Sequence, residues 1–183
     1  VGQDVKTQES QKPIPVASKS TKVVIVRHAE KGATAPDDAD TPLTKDGEKR
    51  AETLARMLKV SGVSEVFSTQ VPKASGKPGK QYKRTKETVN NYADPKSITI
   101  QYYDYSTQGT QNLVKLIKSK KYVGKSILVA GHSDTVPNLV ESLGVKPAPK
   151  IDDEFNNLLL VTIAPDGSTS LTHLKYEIWK SVP

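Results

Sequence analysis

The sequence predicts an α/β fold of three layers, α/β/α, with a mainly parallel central sheet and a C-terminal antiparallel hairpin. Three observations point there. From Lys22 onward, short aliphatic runs alternate with stretches of helical periodicity. The first run, Val23-Val24-Ile25-Val26, lacks polar alternation, as expected of a strand buried on both faces. Near the end, Pro165-Asp166-Gly167 separates two strand-like segments with no helical stretch between them, which signals a hairpin turn.

Taken in order, residues 1–21 are rich in Gln, Ser, Lys and Pro, as in a solvated polar tail, and residues 22–183 are read as one domain. A start at Val1 instead of Met suggests that a native start has been removed. A tether behind a cleaved signal or lipid anchor would place the domain in the periplasm or elsewhere outside the cytoplasm; otherwise it is expected in the cytoplasm.

The first strand stops at Arg27-His28, and a polar loop runs to about Pro42. Thr44 reads as an N-cap, with Asp46 and Glu48 favouring the helix dipole. Ala51, Leu54, Ala55 and Leu58 then form one apolar helical face, which Gly62 ends. Val63 to Phe67 is the second strand. Gln70 to Gln81 holds Pro72, Gly76, Pro78 and Gly79 among Lys73, Lys77 and Lys80, and reads as a loop. A helix over about 82–92 and a strand over 97–103 come next. Leu113, Leu116 and Ile117 give another helical face, and residues 126–130 form the fourth strand, ending at Gly131-His132. Val136, Leu139, Val140 and Leu143 mark a fourth helix, whose first turn tolerates Pro137. Residues 158–163 and 169–176 are the hairpin.

Composition narrows the function classes. The chain has 183 residues, enough for one sizeable core. Its net charge of +7 would suit an anionic partner, but the Lys residues are scattered except between Lys73 and Lys86, and aromatic residues interleaved with them are few. Solvation explains such charges better than nucleic-acid binding does. With no Cys, disulfides, thiolate catalysis and Cys-ligated zinc are excluded. No apolar run approaches the roughly 20 residues of a membrane helix, so a membrane enters only through a removed N-terminal anchor.

Two of the three His stand at equivalent places, His28 after the first strand and His132 after the fourth. Ligands of open α/β sheets bind outside the carboxyl ends of strands. Arg27 and Arg84 fall on the same edge. Two imidazoles and two guanidiniums suit a phosphate, because Arg matches its oxygens bidentately and a neutral imidazole offers a nucleophilic nitrogen.

Around these residues the chain resembles the histidine phosphatase superfamily, the phosphoglycerate-mutase-like proteins. Arg27-His28-Ala29-Glu30-Lys31 is similar to its Arg-His-Gly/Ala signature, and Leu43-Thr44-Lys45-Asp46-Gly47 to its Leu-Thr-x-x-Gly helix start. Arg84-Thr85-Lys86-Glu87-Thr88 resembles its Arg-Thr-x-x-Thr segment, and Gly131-His132-Ser133 its Gly-His-Ser segment. The resemblance runs in order through most of residues 22–163. It implies a phosphoglycerate-mutase-like fold and a phosphomonoester hydrolase with His28 as the phosphorylated nucleophile. Arg27, Arg84 and His132, with Ser133 beside them, would bind the phosphoryl group. No cofactor or metal is expected. The implied substrate is a phosphorylated small molecule or a phosphoprotein, with inorganic phosphate as product.

The family usually supplies a general acid near the end of the third strand, where this chain has Asp104 among Tyr102, Tyr103 and Tyr105. Glu30, Asp38, Asp40 and Asp134 compete for the role, and Asp134 stands where similar proteins often have Asn. The loop before Arg84 is longer than usual, so Lys83 competes with Arg84. His173, in the hairpin, reads as structural. Asn156-Asn157 resembles a stretch in small relatives and receives no role. Two rival functions remain, a phosphoglycerate-mutase-type phosphotransferase and a catalytically silent phosphate- or polyanion-binding module. Small size and the absence of a long inserted cap count against the mutase.

Overall fold

The computed structural model of the chain describes residues 19–73 and 79–178. The expected tail up to residue 18, and Gly76, Lys77 and Pro78 of the basic loop, lie outside the described residues.

A six-stranded sheet forms the middle layer. Its strands are β1 (Thr21–Arg27), β2 (Val63–Gln70), β3 (Ile100–Asp104), β4 (Ser126–Gly131), β5 (Asn157–Ile163) and β6 (Thr169–Lys175), in spatial order β3-β2-β4-β1-β5-β6. The first four are parallel; β5 runs antiparallel to β1, and β6 antiparallel to β5. This is the mixed, mainly parallel sheet that the alternation of elements predicts.

Helices cover both faces. Alternate residues of β1 serve opposite cores, which is why its β-branched run has no polar member. Val24 and Val26 pack with Leu54 of α1 (Lys45–Met57) and with Val89 and Tyr92 of α2 (Lys83–Ala93). Val23 and Ile25 pack with Leu113 and Ile117 of α3 (Thr107–Ile117) and with Leu139 and Leu143 of α4 (Thr135–Leu143).

Four details differ from expectation. Thr21 belongs to β1, where its hydroxyl donates to the Tyr122 carbonyl. β3 starts at Ile100, not Ser97, because Ser97 sits in the left-handed region at φ 53° after a 3-10 turn. β2 continues through Ser68, Thr69 and Gln70, whose polar side chains are nevertheless buried. In α3 the buried face is Leu113, Val114 and Ile117, which pack in one cluster with α4 and the sheet, and Leu116 is left exposed.

Candidate active site

β1 and β4 are neighbours in register, with Arg27 opposite Gly131, and the His28 amide donates to the Gly131 carbonyl at 2.8 Å. The residues that follow each strand therefore emerge side by side. The rings of His28 and His132 lie 5.3 Å apart, edge to face. Gly131 is required by this crowding, since a Cβ there would stand 2.8 Å from Thr135 Oγ1 and 3.0 Å from the Tyr103 hydroxyl.

The protonation of His28 follows from its partner. Nδ1 lies 2.8 Å from the Ala29 carbonyl oxygen, which can only accept. Nδ1 therefore carries the hydrogen and Nε2 keeps the lone pair. Burial, with the positive charges of Arg84, Arg27 and Lys31, lowers the His28 pKa to about 4. The ring is neutral near pH 7. His132 is held lower still, to about 2, mainly by burial and then by His28 and the same cations. Its Nε2 lies 2.9 Å from Thr69 Oγ1.

The two guanidiniums are nearly as buried as the two imidazoles, all four residues being 3–7% exposed. Arg27 stacks on Phe155, with its guanidinium carbon 4.4 Å from the ring centre, and donates to the Asp152 carbonyl at 3.0 Å. Asp153 is a looser partner at 3.7 Å. Arg84 donates to the carbonyl and carboxylate of Asp38 at 2.7 and 2.8 Å. Nε of Arg27 and Nε of Arg84 are both buried with no partner among the described residues. Such unmet donors on two adjacent cations suit an anion with several acceptor oxygens. Lys83 is exposed and pairs loosely with Glu87, so Arg84 is the cation turned inward.

The carboxylates divide differently from expectation. Asp104 accepts from Gln70 Nε2 at 2.8 Å and lines a separate cavity with Tyr102, Gly109 and Leu113, which none of the two His and two Arg lines. Glu30 is gripped by Arg50 through bonds of 2.6–2.9 Å. Asp40 and Asp37 share Lys80. Asp134 accepts from the Tyr105 hydroxyl and from the Thr135 amide. Asp38 alone among these carboxylates bonds to one of the four clustered residues through its carboxylate at hydrogen-bond distance. Ser133 is exposed, on a groove it shares with Asp152 and Asp153.

No family model and no curated protein matches the sequence. Solved structures match in fold. The protein histidine phosphatase SixA complexed with tungstate superposes with a TM-score of 0.63 at 18% identity, over 84% of this chain and 96% of that one. A phosphoglycerate mutase from Bacillus anthracis gives 0.61 at 14% identity, over 86% and 94%. A mycobacterial glucosyl-3-phosphoglycerate phosphatase gives 0.58 at 10% identity, over 88% and 100%.

The chain has the histidine phosphatase fold. One fold supports many activities, so chemistry has to be argued from the side chains that this one places together.

In this histidine phosphatase fold, several residues with no earlier assignment hold the cluster. Thr88 Oγ1 accepts from the Ala29 amide at 2.9 Å, tying α2 to the backbone beside His28. Thr85 and Ser68 join Thr69 in a buried set of hydroxyls under His132. Tyr105 and Tyr82 place rings 4.3 and 5.0 Å from His132, and Phe155 lies 5.8 Å from His28. Asn157 donates toward the Ile151 carbonyl and Glu154, and accepts from His173 Nε2 at 2.7 Å. It thereby pins the loop that carries Asp152 and Phe155. The threonines had a signal in the sequence: polar residues ending a strand and recurring on one helix face.

Proposed function

We propose that the chain is a metal-independent phosphomonoester hydrolase that passes the phosphoryl group through His28. The observation that carries this reading is the orientation of His28: its Nδ1–H is held by a backbone carbonyl, so Nε2 is an unprotonated nucleophile. Beside it stand His132 and two guanidiniums with unmet donors.

Nε2 of His28 would attack phosphorus as the ester P–O bond breaks, and the leaving oxygen would take a proton. Water would then attack the phosphohistidine, breaking the P–N bond and releasing inorganic phosphate. Arg27, Arg84 and His132 would bind the phosphoryl oxygens and offset the charge that gathers on them, which is usually the largest catalytic contribution. We assign the proton to Asp38, which stands beside Arg84 while Asp104 lines another cavity: as the phosphoryl group takes over Arg84, the Asp38 carboxylate would take up from solvent the proton it passes on. Asp38 would protonate the leaving oxygen and receive the proton of the attacking water. Substrates in this reading are phosphorylated small molecules or a phosphoprotein.

Replacing His28 with Ala should abolish hydrolysis of p-nitrophenyl phosphate and phosphate labelling of the protein. Undiminished hydrolysis by that variant would overturn the assignment. Phosphoryl transfer back to another hydroxyl is the second reading. Size does not argue against it, since the matched phosphoglycerate mutase is covered over 94% of its chain. Product analysis with a phosphoglycerate separates the two: free phosphate supports hydrolysis, an isomerised ester a mutase.

A further inference from the structure

We propose that Thr69 is a positioning residue that dictates which nitrogen of His132 meets the phosphoryl group, so that binding a phosphoryl dianion takes up one proton at His132. This rests on the reading of His28 and His132 as the phosphoryl site.

The argument follows hydroxyl hydrogens through a closed set of bonds. Thr85 Oγ1 donates to the Tyr82 carbonyl at 3.0 Å. Its one hydrogen is thus committed, and it accepts from Ser68 Oγ at 2.9 Å and from Thr69 Oγ1 at 2.8 Å. The hydrogen of Thr69 is then committed as well. Toward His132 Nε2, at 2.9 Å, Thr69 is left as an acceptor. His132 therefore carries its hydrogen on Nε2. A neutral imidazole has only one such hydrogen, so Nδ1 keeps a lone pair. Nδ1 has no protein partner among the described residues. Ser68, Thr69 and Thr85 are fully buried, which keeps water from offering alternative partners.

A lone pair on Nδ1 repels a phosphoryl oxygen. To donate from Nδ1, His132 has to become an imidazolium. The groups around it favour the neutral form while no anion is bound: His28, Arg84, Arg27 and Lys31 are neutral or positive, and the rings of Tyr82 and Tyr105 carry no charge. Asp134, on the following turn, is occupied by Tyr105 and the Thr135 amide. A phosphoryl dianion reverses the local field, and solvent supplies the proton.

The test uses the full chain with inorganic phosphate and vanadate as probes. Nitrogen-15 NMR of histidine-labelled protein should show free His132 with hydrogen on Nε2. Titration calorimetry in buffers of differing ionisation enthalpy, at a pH where phosphate is dianionic, should show uptake of close to one proton per anion. Thr69→Val should weaken phosphate binding and kcat/KM by about ten- to a hundredfold, as expected for loss of a hydrogen bond to a charged group. Thr69→Ser should restore both. Hydrogen on Nδ1 in the free protein, no proton uptake, or a valine variant with unaltered binding would each overturn the proposal. If Thr69→Val fails to fold, the two wild-type measurements still decide it. None of the binding readouts needs turnover, so failure here is distinguishable from failure of the His28 assignment.

Discussion

At the scale of single residues, the position of a carboxylate matters more than its presence. Asp104 and Asp38 are both near the carboxyl edge of the sheet, yet the first bonds to an amide and the second to Arg84. General acid catalysis contributes most when the leaving group is a strong base. Asp38→Asn should therefore lower kcat on an alkyl phosphate about a hundredfold. On p-nitrophenyl phosphate, whose leaving oxygen needs little help, the loss should be much smaller. Asp104→Asn should change either rate by no more than about threefold, the effect of a lost peripheral hydrogen bond. Steady-state kinetics on both substrates check this, and the opposite ranking would return the acid role to Asp104. The two imidazoles and two guanidiniums were legible in the sequence because each stands at one end of a regular element: Arg27 and the two His where a strand stops, Arg84 where a helix starts. Their partners were less so: Thr69 shows only as a polar residue near a strand end, and Phe155 and Tyr105 reach the cluster from loops distant in the chain.

At the scale of elements, the start of α1 shows how a short motif joins helix to site. Thr44 Oγ1 accepts from the Gly47 amide at 3.1 Å, the cap that the sequence predicts. What the sequence alone does not explain is the glycine. A Cβ on Gly47 would lie 2.2 Å from the Glu30 carbonyl oxygen, so α1 leans directly on the backbone just past His28. The same carbonyl accepts from the Thr44 amide at 2.9 Å. Gly47→Ala should cost about 1–3 kcal/mol, the usual penalty for an overpacked contact. It should also reduce activity by displacing the segment that holds His28. Urea unfolding and the hydrolysis assay measure the two effects, and an unchanged midpoint would show that the turn shifts freely. The loop between α4 and β5 is held in a comparable way through Asn157, with His173 filling the structural place expected of it.

At the scale of the whole molecule, two neutral imidazoles buried between cations make stability depend on pH. In the unfolded chain both take up protons near pH 6.5, the ordinary value for His. In the folded chain they resist until about 4 for His28 and about 2 for His132. Between those limits the unfolded state binds more protons. The stabilisation is thus complete above about pH 6.5 and is lost as pH falls toward 4 and below. Each ring contributes a slope of at most about 1.4 kcal/mol per pH unit in that window. The melting temperature should fall between pH 6.5 and 4.5, and His28→Asn with His132→Asn should flatten the fall. A calorimetric profile with the same slope in the double variant would refute the account.

What the sequence by itself determined is whatever local patterning dictates: a β-branched run that must be buried on both faces, the apolar faces of the helices, the caps, and the placing of His28 and His132 at strand ends. What only the tertiary structure decided is which groups meet: Asp38 with Arg84 and Thr69 with His132 through hydrogen bonds, Phe155 with Arg27 through a cation stacked on a ring. Periodicity reports how much of a side chain is buried and on which face. It carries no information about the partner on the far side of that face, because distant segments meet there through packing.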